Sequence, residues 1–279
     1  MNVRRAFNIF VASVTQRIFV TKKDLLKISR AKREGDINNM TPKIIHYCWF
    51  GRGEMPELVQ TCIASWRTHM PNWEYRLWSE DNFDIASAPQ YVREAYEAKK
   101  YAFVSDYVRL WALEREGGLY MDVDFEVYKP FDDLMEQYDA FAGYEGSKRN
   151  PVMMGVIAAK AHHPWIQSMI ETYESRVFLK EDGSLDMTPN TGYFYDWMTK
   201  QGFVADGVEK DWMGVHILSV ECLCPVLTTG ENLRCERTYC EHKGLHSWSR
   251  NGGWKNKFLG LVSPQTKVKL IKLKRKILG

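Results

Sequence analysis

Residues 101–127 read Y-A-F-V-S-D-Y-V-R-L-W-A-L-E-R-E-G-G-L-Y-M-D-V-D-F-E-V. Val104, Val108, Trp111 and Ala112 fall at helical spacing, and Gly117-Gly118 supply a stop, so a helix is predicted over Tyr101–Glu116. The period then changes. Leu119, Met121, Val123, Phe125 and Val127 alternate with Tyr120, Asp122, Asp124 and Glu126, which is the repeat of a strand, and Pro130 ends it. Strands alternating with helices predict an α/β fold with a mostly parallel sheet. In such sheets ligands gather at the carboxyl ends of the strands.

On one strand Asp122 and Asp124 would share a face, about 6–7 Å apart. Two carboxylates so placed raise each other's pKa unless a cation or water compensates. A hard divalent ion takes oxygen ligands and could bridge the pair to a diphosphate, acting as a Lewis acid on it as it departs. A bare D-x-D also suits a solvated surface strand. Upstream, Asp106 and Arg109 are three apart on one face of an otherwise apolar helix. They form either a surface ion pair or a partly buried pair suited to a sugar hydroxyl and a phosphate.

Working outward, residues 43–50 (K-I-I-H-Y-C-W-F) read as a strand running into Gly51-Arg52-Gly53. A helix is predicted over 56–69 with Leu58, Cys62 and Trp66 on one face, then a strand over 73–78 and a helix over 91–100. Beyond 150 the pattern gives a helix over 164–176, a loop over 180–190, a short helix over 192–200, and short strands and turns to 254. His46 on its apolar strand reads as a satisfied core histidine. Cys222, Cys224, Cys235 and Cys240 lack a familiar finger spacing and read as free thiols, with zinc or a disulfide as alternatives.

The 279 residues carry a net charge of +3, unevenly spread. Residues 1–36 hold +6 and residues 267–279 hold +6, which leaves −9 on the body between them. An acidic body argues against nucleic acid as a partner and suits a bound cation. The basic tail intersperses Leu270, Ile271, Leu273, Ile277 and Leu278 with cations, the pattern of a helix lying on an anionic membrane surface. The longest uncharged stretch near the start, residues 6–16, is far short of a membrane span of about 20 residues, and no signal cleavage site follows it. A cytoplasmic location, peripheral on the inner face of the membrane, is expected. The domain reading is a basic helical arm over 1–41, a folded α/β domain over 42–254 and a basic amphipathic tail over 255–279.

S-D-x-x-R at residues 105–109, followed by G-G-x-Y-x-D-x-D at 117–124, resembles the D-x-D region of glycosyltransferase family 32. That family includes initiating α-mannosyltransferases and capsular-polysaccharide sugar transferases. Residues 42–51 (P-K-I-I-H-Y-C-W-F-G) are similar to its first strand, and residues 155–165 (G-V-I-A-A-K-A-H-H-P-W) to a segment lining its sugar pocket. There Met153 or Met154 stands where the family usually has Asn. Thr191-Gly192-Tyr193 is similar to its Thr-Gly-Pro turn, with Tyr193 replacing Pro. Residues 239–248 (Y-C-E-H-K-G-L-H-S-W) match Y-x-x-H-H-x-x-x-S-W in length and ends.

The resemblance implies a GT-A type nucleotide-sugar-binding fold and a retaining hexosyl transfer from a nucleotide-sugar, a UDP-hexose, with Mn²⁺ or Mg²⁺. The acceptor implied is a glycan or lipid-linked glycan in polysaccharide biosynthesis. It implies that Trp49 stacks on the base, that Asp106 and Arg109 hold sugar and diphosphate, and that Asp122 and Asp124 hold the metal and ribose or phosphate. His242 is then the third protein ligand of the metal, ahead of His246, while Ser247 and Trp248 close over the diphosphate. Two other readings fit D-x-D: a metal-dependent phosphohydrolase with Asp122 as nucleophile and Asp124 as acid, and a non-catalytic sugar-nucleotide or glycan-binding protein. Glu126 stands where the phosphohydrolase pattern has Thr or Val.

Overall fold

The computed structural model describes residues 41–146 and 150–244. The basic arm, the basic tail, His246, Ser247 and Trp248 lie outside the described residues. The strands are β1 (Ile44–Cys48), β2 (Glu74–Trp78), β3 (Gly118–Met121), β4 (Phe125–Val127), β5 (Ala140–Gly143), β6 (Val156–Ala159), β7 (Lys210–Trp212), β8 (Val215–Leu218) and β9 (Cys240–His242). The helices are α1 (Glu57–His69), α2 (Gln90–Glu97), α3 (Tyr101–Glu116), α4 (Asp132–Gln137), α5 (Pro164–Glu171), α6 (Asn190–Lys200) and α7 (Val220–Leu223).

Seven strands form one sheet in the order β2-β1-β3-β6-β5-β8-β7. β2, β1, β3, β5 and β8 run one way; β6 and β7 run against them. This is the expected α/β architecture, with β6, the middle strand of the seven, running antiparallel to its neighbours. Both faces of the sheet are covered, as a largely parallel sheet requires. Tyr120, Ile157, Ala159 and Ala142 join one core with Val104, Val108 and Leu110 of α3 and Trp165 of α5. Leu119, Met121, Val156 and Phe141 point the other way, into a second core with Val59 and Trp66 of α1 and Phe125 of β4.

The stretch 119–127 departs from the expected single strand. β3 ends at Met121, and the Phe125 amide donates to the Asp122 carbonyl at 3.2 Å, closing a turn through Val123 and Asp124. The chain resumes as β4, which pairs antiparallel with β9 and not with the main sheet. All four residues of β3 are buried, so the strand is walled on both faces. A second carboxylate could not continue in it without being buried against a core. The turn carries Asp122 and Asp124 past the end of β3 to the cavity wall, where Asp124 is buried against His242 and not within the sheet. Val123, Phe125 and Val127 remain buried as the alternation predicts, but Tyr120 is buried too.

α1 fixes where β4 lies. Its Trp66 indole N–H donates to the Phe125 carbonyl at 2.7 Å, and its Ser65 hydroxyl accepts from the Val127 amide at 2.9 Å. The buried face of α1 is Val59, Cys62 and Trp66; Leu58 sits one position off it and is only partly covered. α3 keeps its expected bounds and ends at Gly117, whose φ is 65° and whose added Cβ would lie 2.6 Å from the Ala161 amide nitrogen. The helix predicted over 164–176 is α5 followed by a 3₁₀ turn over Thr172–Glu174.

His46 is a core histidine, as expected. Trp78 Nε1 donates to its Nδ1 at 3.1 Å, which leaves Nε2 to donate to the Gly117 carbonyl at 2.8 Å. Burial lowers its pKa, so the ring is neutral. The six cysteines are free; Cys222, Cys224 and Cys240 are buried and Cys235 is exposed. Burial raises the pKa of the first three thiols, so they are protonated.

Candidate active site

A cavity of about 480 Å³ opens at the edge of the sheet where β1 and β3 end. Trp49 and Gly51 line it from beyond β1, Asp106 and Arg109 from α3, Asp122 and Asp124 from beyond β3, and Glu145 from beyond β5. His242 of β9 and the start of α6 complete the wall. Residues from Cys48 to His242 meet here because the strand ends share one edge.

Arg109 is the hub. It is 5% exposed, and its Nη2 lies 2.8 Å from Asp106 Oδ1 and 3.3 Å from Asp122 Oδ1. Its Nη1 donates to the Met154 carbonyl, its Nε to the Ser105 carbonyl at 3.3 Å, and its guanidinium lies 4.7 Å from the Tyr120 ring centre. One fixed cation thus serves two carboxylates. The segment beside it needs Gly155: a Cβ there would come 2.9 Å from Asp122 Oδ2 and from Phe125 Cε2.

Asp106 is 8% exposed and is held from a second side by Asn190. The Asn190 amide donates to Asp106 Oδ2 at 3.4 Å, and its Nδ2 donates to the Asp106 carbonyl at 2.9 Å. Burial pushes the Asp106 carboxyl up to about 6, and Arg109 counters only part of that. Asp122 accepts from the Tyr120 hydroxyl at 2.7 Å. Burial raises its pKa as well, with Arg109 opposing and Asp124 adding to the rise.

Asp124 is 7% exposed, and its Oδ2 lies 3.1 Å from His242 Nε2. The His242 ring stacks on Phe125 with centres 4.8 Å apart. Burial pulls the imidazole pKa down, but the hydrogen bond to Asp124 and the charges of Asp124, Asp122 and Glu145 more than offset it, and the pKa is raised. Among the described residues no three His, Cys, Asp or Glu side chains converge as a metal cage. What the site offers is an open, hard donor set, Asp122 and Asp124, with His242 folded onto Asp124. That fits an ion whose remaining ligands come from a diphosphate.

Trp49 is partly covered and donates its indole N–H to the Gly53 carbonyl at 2.6 Å, which fixes the ring at the cavity wall beyond β1. Replacing it by Ala should weaken nucleoside diphosphate binding by about 1–3 kcal/mol, the scale of base–aromatic stacking. Calorimetry would check this, and unchanged affinity would leave Trp49 a core residue only.

Asp106, Arg109, Asp122, Asp124, Trp49 and His242 therefore share one cavity: the first four stand out by their charge and spacing, and Trp49 and His242 by the family resemblance. The sequence reading missed Tyr120 and Asn190. Tyr120 lies inside the G-G-x-Y-x-D run and could have been found there; Asn190 directly precedes Thr191-Gly192 but has no period or charge to mark it.

Residues 56–141 match the family model described as the glycosyltransferase sugar-binding region containing DXD motif. The chain is 26% identical over 155 residues to inositol phosphoceramide mannosyltransferase 3 of Schizosaccharomyces pombe, covering 53% of this chain and 42% of that protein. It is 23% identical over 225 residues to an uncharacterized glycosyltransferase of Acanthamoeba polyphaga mimivirus, covering 75% of this chain and 84% of that one. Among solved structures, the PaToxG glycosyltransferase overlaps with a TM-score of 0.40 at 16% identity, over 65% of this chain and 81% of that chain. The galactosyltransferase LgtC, in complex with donor and acceptor sugar analogs, overlaps with a TM-score of 0.38 at 12% identity, over 78% and 94%. Within residues 56–141 the D-x-D pattern occurs at Asp122-Val123-Asp124, the turn that faces the cavity, so this chain carries the D-x-D sugar-binding region of glycosyltransferases and is related to them by sequence.

Proposed function

We propose that this protein is a metal-dependent, retaining glycosyltransferase that moves a hexose from a nucleotide-sugar, a UDP-hexose, to a hydroxyl of a glycan or lipid-linked glycan. The observation that carries it is the convergence of Arg109, Asp106, Asp122 and Asp124 on one cavity with Trp49 on its wall. The reaction breaks the anomeric C–O bond to the diphosphate and forms one to the acceptor oxygen. The acceptor proton leaves with the nucleoside diphosphate. Trp49 binds the base, Arg109 faces the diphosphate, and Asp106 accepts hydrogen bonds from the sugar hydroxyls. Asp122 and Asp124, with His242 behind them, would hold Mn²⁺ or Mg²⁺, which supplies positive charge to the leaving diphosphate.

A phosphohydrolase reading has less support. Asp122 Oδ1 accepts from Tyr120 and faces Arg109, and Glu126 stands where the phosphohydrolase pattern has Thr or Val. A panel of nucleotide-sugars, with nucleoside diphosphate release as readout, tests the assignment. Excess chelator should abolish release and Mn²⁺ or Mg²⁺ should restore it. Full turnover in chelator would remove the metal from the reading, and no release from any donor would defeat the transferase itself.

The same proposal places the enzyme on the cytoplasmic face of a membrane, where a lipid-linked acceptor would be met at high local concentration. No helix among the described residues is long and apolar enough to cross a membrane. Six cations in residues 267–279, at about 1 kcal/mol each near an anionic leaflet, should give salt-sensitive binding. Deleting residues 267–279 should release the protein from phosphatidylserine vesicles at low salt; continued sedimentation with them would show that the tail is not the anchor.

A further inference from the structure

Arg176, just past the 3₁₀ turn that follows α5, is buried at 8% exposure. Among the described residues none of its three guanidinium nitrogens finds a hydrogen-bond partner. Its ion-pair partner, Asp186, stands off at 3.8 Å. The guanidinium lies instead within three tyrosine rings, 3.9 Å from the centre of Tyr193, 4.2 Å from Tyr91 and 4.6 Å from Tyr173. Burying a guanidinium without hydrogen bonds is costly, and cation–π contacts recover only part of the loss. An apolar side chain would fill the cage at less cost, so packing alone does not account for a cation there.

The cage is joined to the donor cavity. Tyr173 donates its hydroxyl to Asn190 Oδ1 at 2.8 Å, and Asn190 grips Asp106 through both its backbone amide and its side-chain amide. Asp106 then meets Arg109 at 2.8 Å. The charged groups around Asp106 are Arg109 on its own helix, Asp122 from the end of β3 and Arg176 from behind Tyr173. The third ring of the cage, Tyr193, is the residue at which the chain departs from the Thr-Gly-Pro turn of the family it resembles.

We propose that Arg176 is a positioning residue for the donor site: its caged guanidinium fixes Tyr173, and Tyr173 acts through Asn190 to set the Asp106 carboxylate. The effect on turnover rests on the transferase reading; the coupling between Arg176 and Asp106 does not. Two measurements separate them. In urea unfolding, the midpoint shifts of Arg176→Met and Asp106→Asn should fail to add in the double variant, although the two residues share no hydrogen bond. Additive shifts would overturn the proposal. In hydrolysis of UDP-glucose, or of whichever panel donor the native protein turns over, Arg176→Met should lower kcat at least ~10-fold with little change in KM, and Arg176→Lys should recover most of it. A native rate in Arg176→Met, or a lysine variant as slow as the methionine one, would overturn it. If Arg176→Met does not fold, Tyr173→Phe removes only the hydroxyl on Asn190, and its midpoint shift should likewise fail to add to that of Asp106→Asn; additive shifts there count against the proposal in the same way. If no panel donor is hydrolysed by the native protein, the proposed function falls and the urea cycle alone decides this inference.

Discussion

Asp122→Asn and Asp124→Asn should each lower the rate of donor turnover by at least ~10²-fold while leaving the fold intact. Asn keeps the shape and can still accept from Tyr120 at position 122 or meet His242 at position 124. What it removes is one negative charge from the cavity wall, where a divalent cation and a departing diphosphate would be balanced. That interaction is strongest as the diphosphate leaves, so the loss falls on kcat more than on donor binding. Asp122→Asn should cost little stability, because burial and the neighbouring Asp124 already raise its pKa and Arg109 keeps Asp106 as a partner. Circular dichroism and urea unfolding would verify the fold, and a donor assay the rate. Near-wild-type turnover in both variants would sink the assignment of the active site.

The helix that carries Asp106 and Arg109 was legible because two independent signals agreed: apolar spacing along Tyr101–Glu116 and the glycine pair after it. The acidic turn was not, and the reason is physical. Alternation reports burial, and Val123, Phe125 and Val127 are buried whether or not the strand is continuous. What breaks the strand is the choice of partner, since β4 pairs with β9, more than a hundred residues further along the chain. No local pattern encodes that pairing. Tyr120 misled for a related reason: alternation assigns it to the polar side, but the helices on both faces leave β3 no polar side. Asn190, Tyr173 and Arg176 come from a region of weak periodicity, and only packing against α3 brings them behind Asp106. The acidic residues that line the cavity were thus easier to find than the residues that hold them in place.

Arg109→Met should be the most damaging single change, in stability as well as rate. The guanidinium is the shared counter-charge of Asp106 and Asp122 and also donates to two backbone carbonyls. Removing one partner of a buried pair leaves uncompensated charge and typically costs about 3–5 kcal/mol. The pH dependence follows from Asp106. Its carboxyl is already pushed by burial from 3.8 to about 6 in the folded protein, and loss of Arg109 would raise it further. A carboxyl whose folded pKa lies above its unfolded value favours folding at low pH, and that stability is lost as pH rises from 3.8 through the folded pKa. The stability gap between native protein and Arg109→Met should therefore be small near pH 5 and widen towards pH 8. Arg109→Lys keeps the charge but not the planar fork that reaches both carboxylates. It should recover part of the stability and little of the rate. Urea unfolding at pH 5 and pH 8 would check this, and a gap that stays constant or narrows with pH would show that Arg109 does not act as the counter-charge of Asp106.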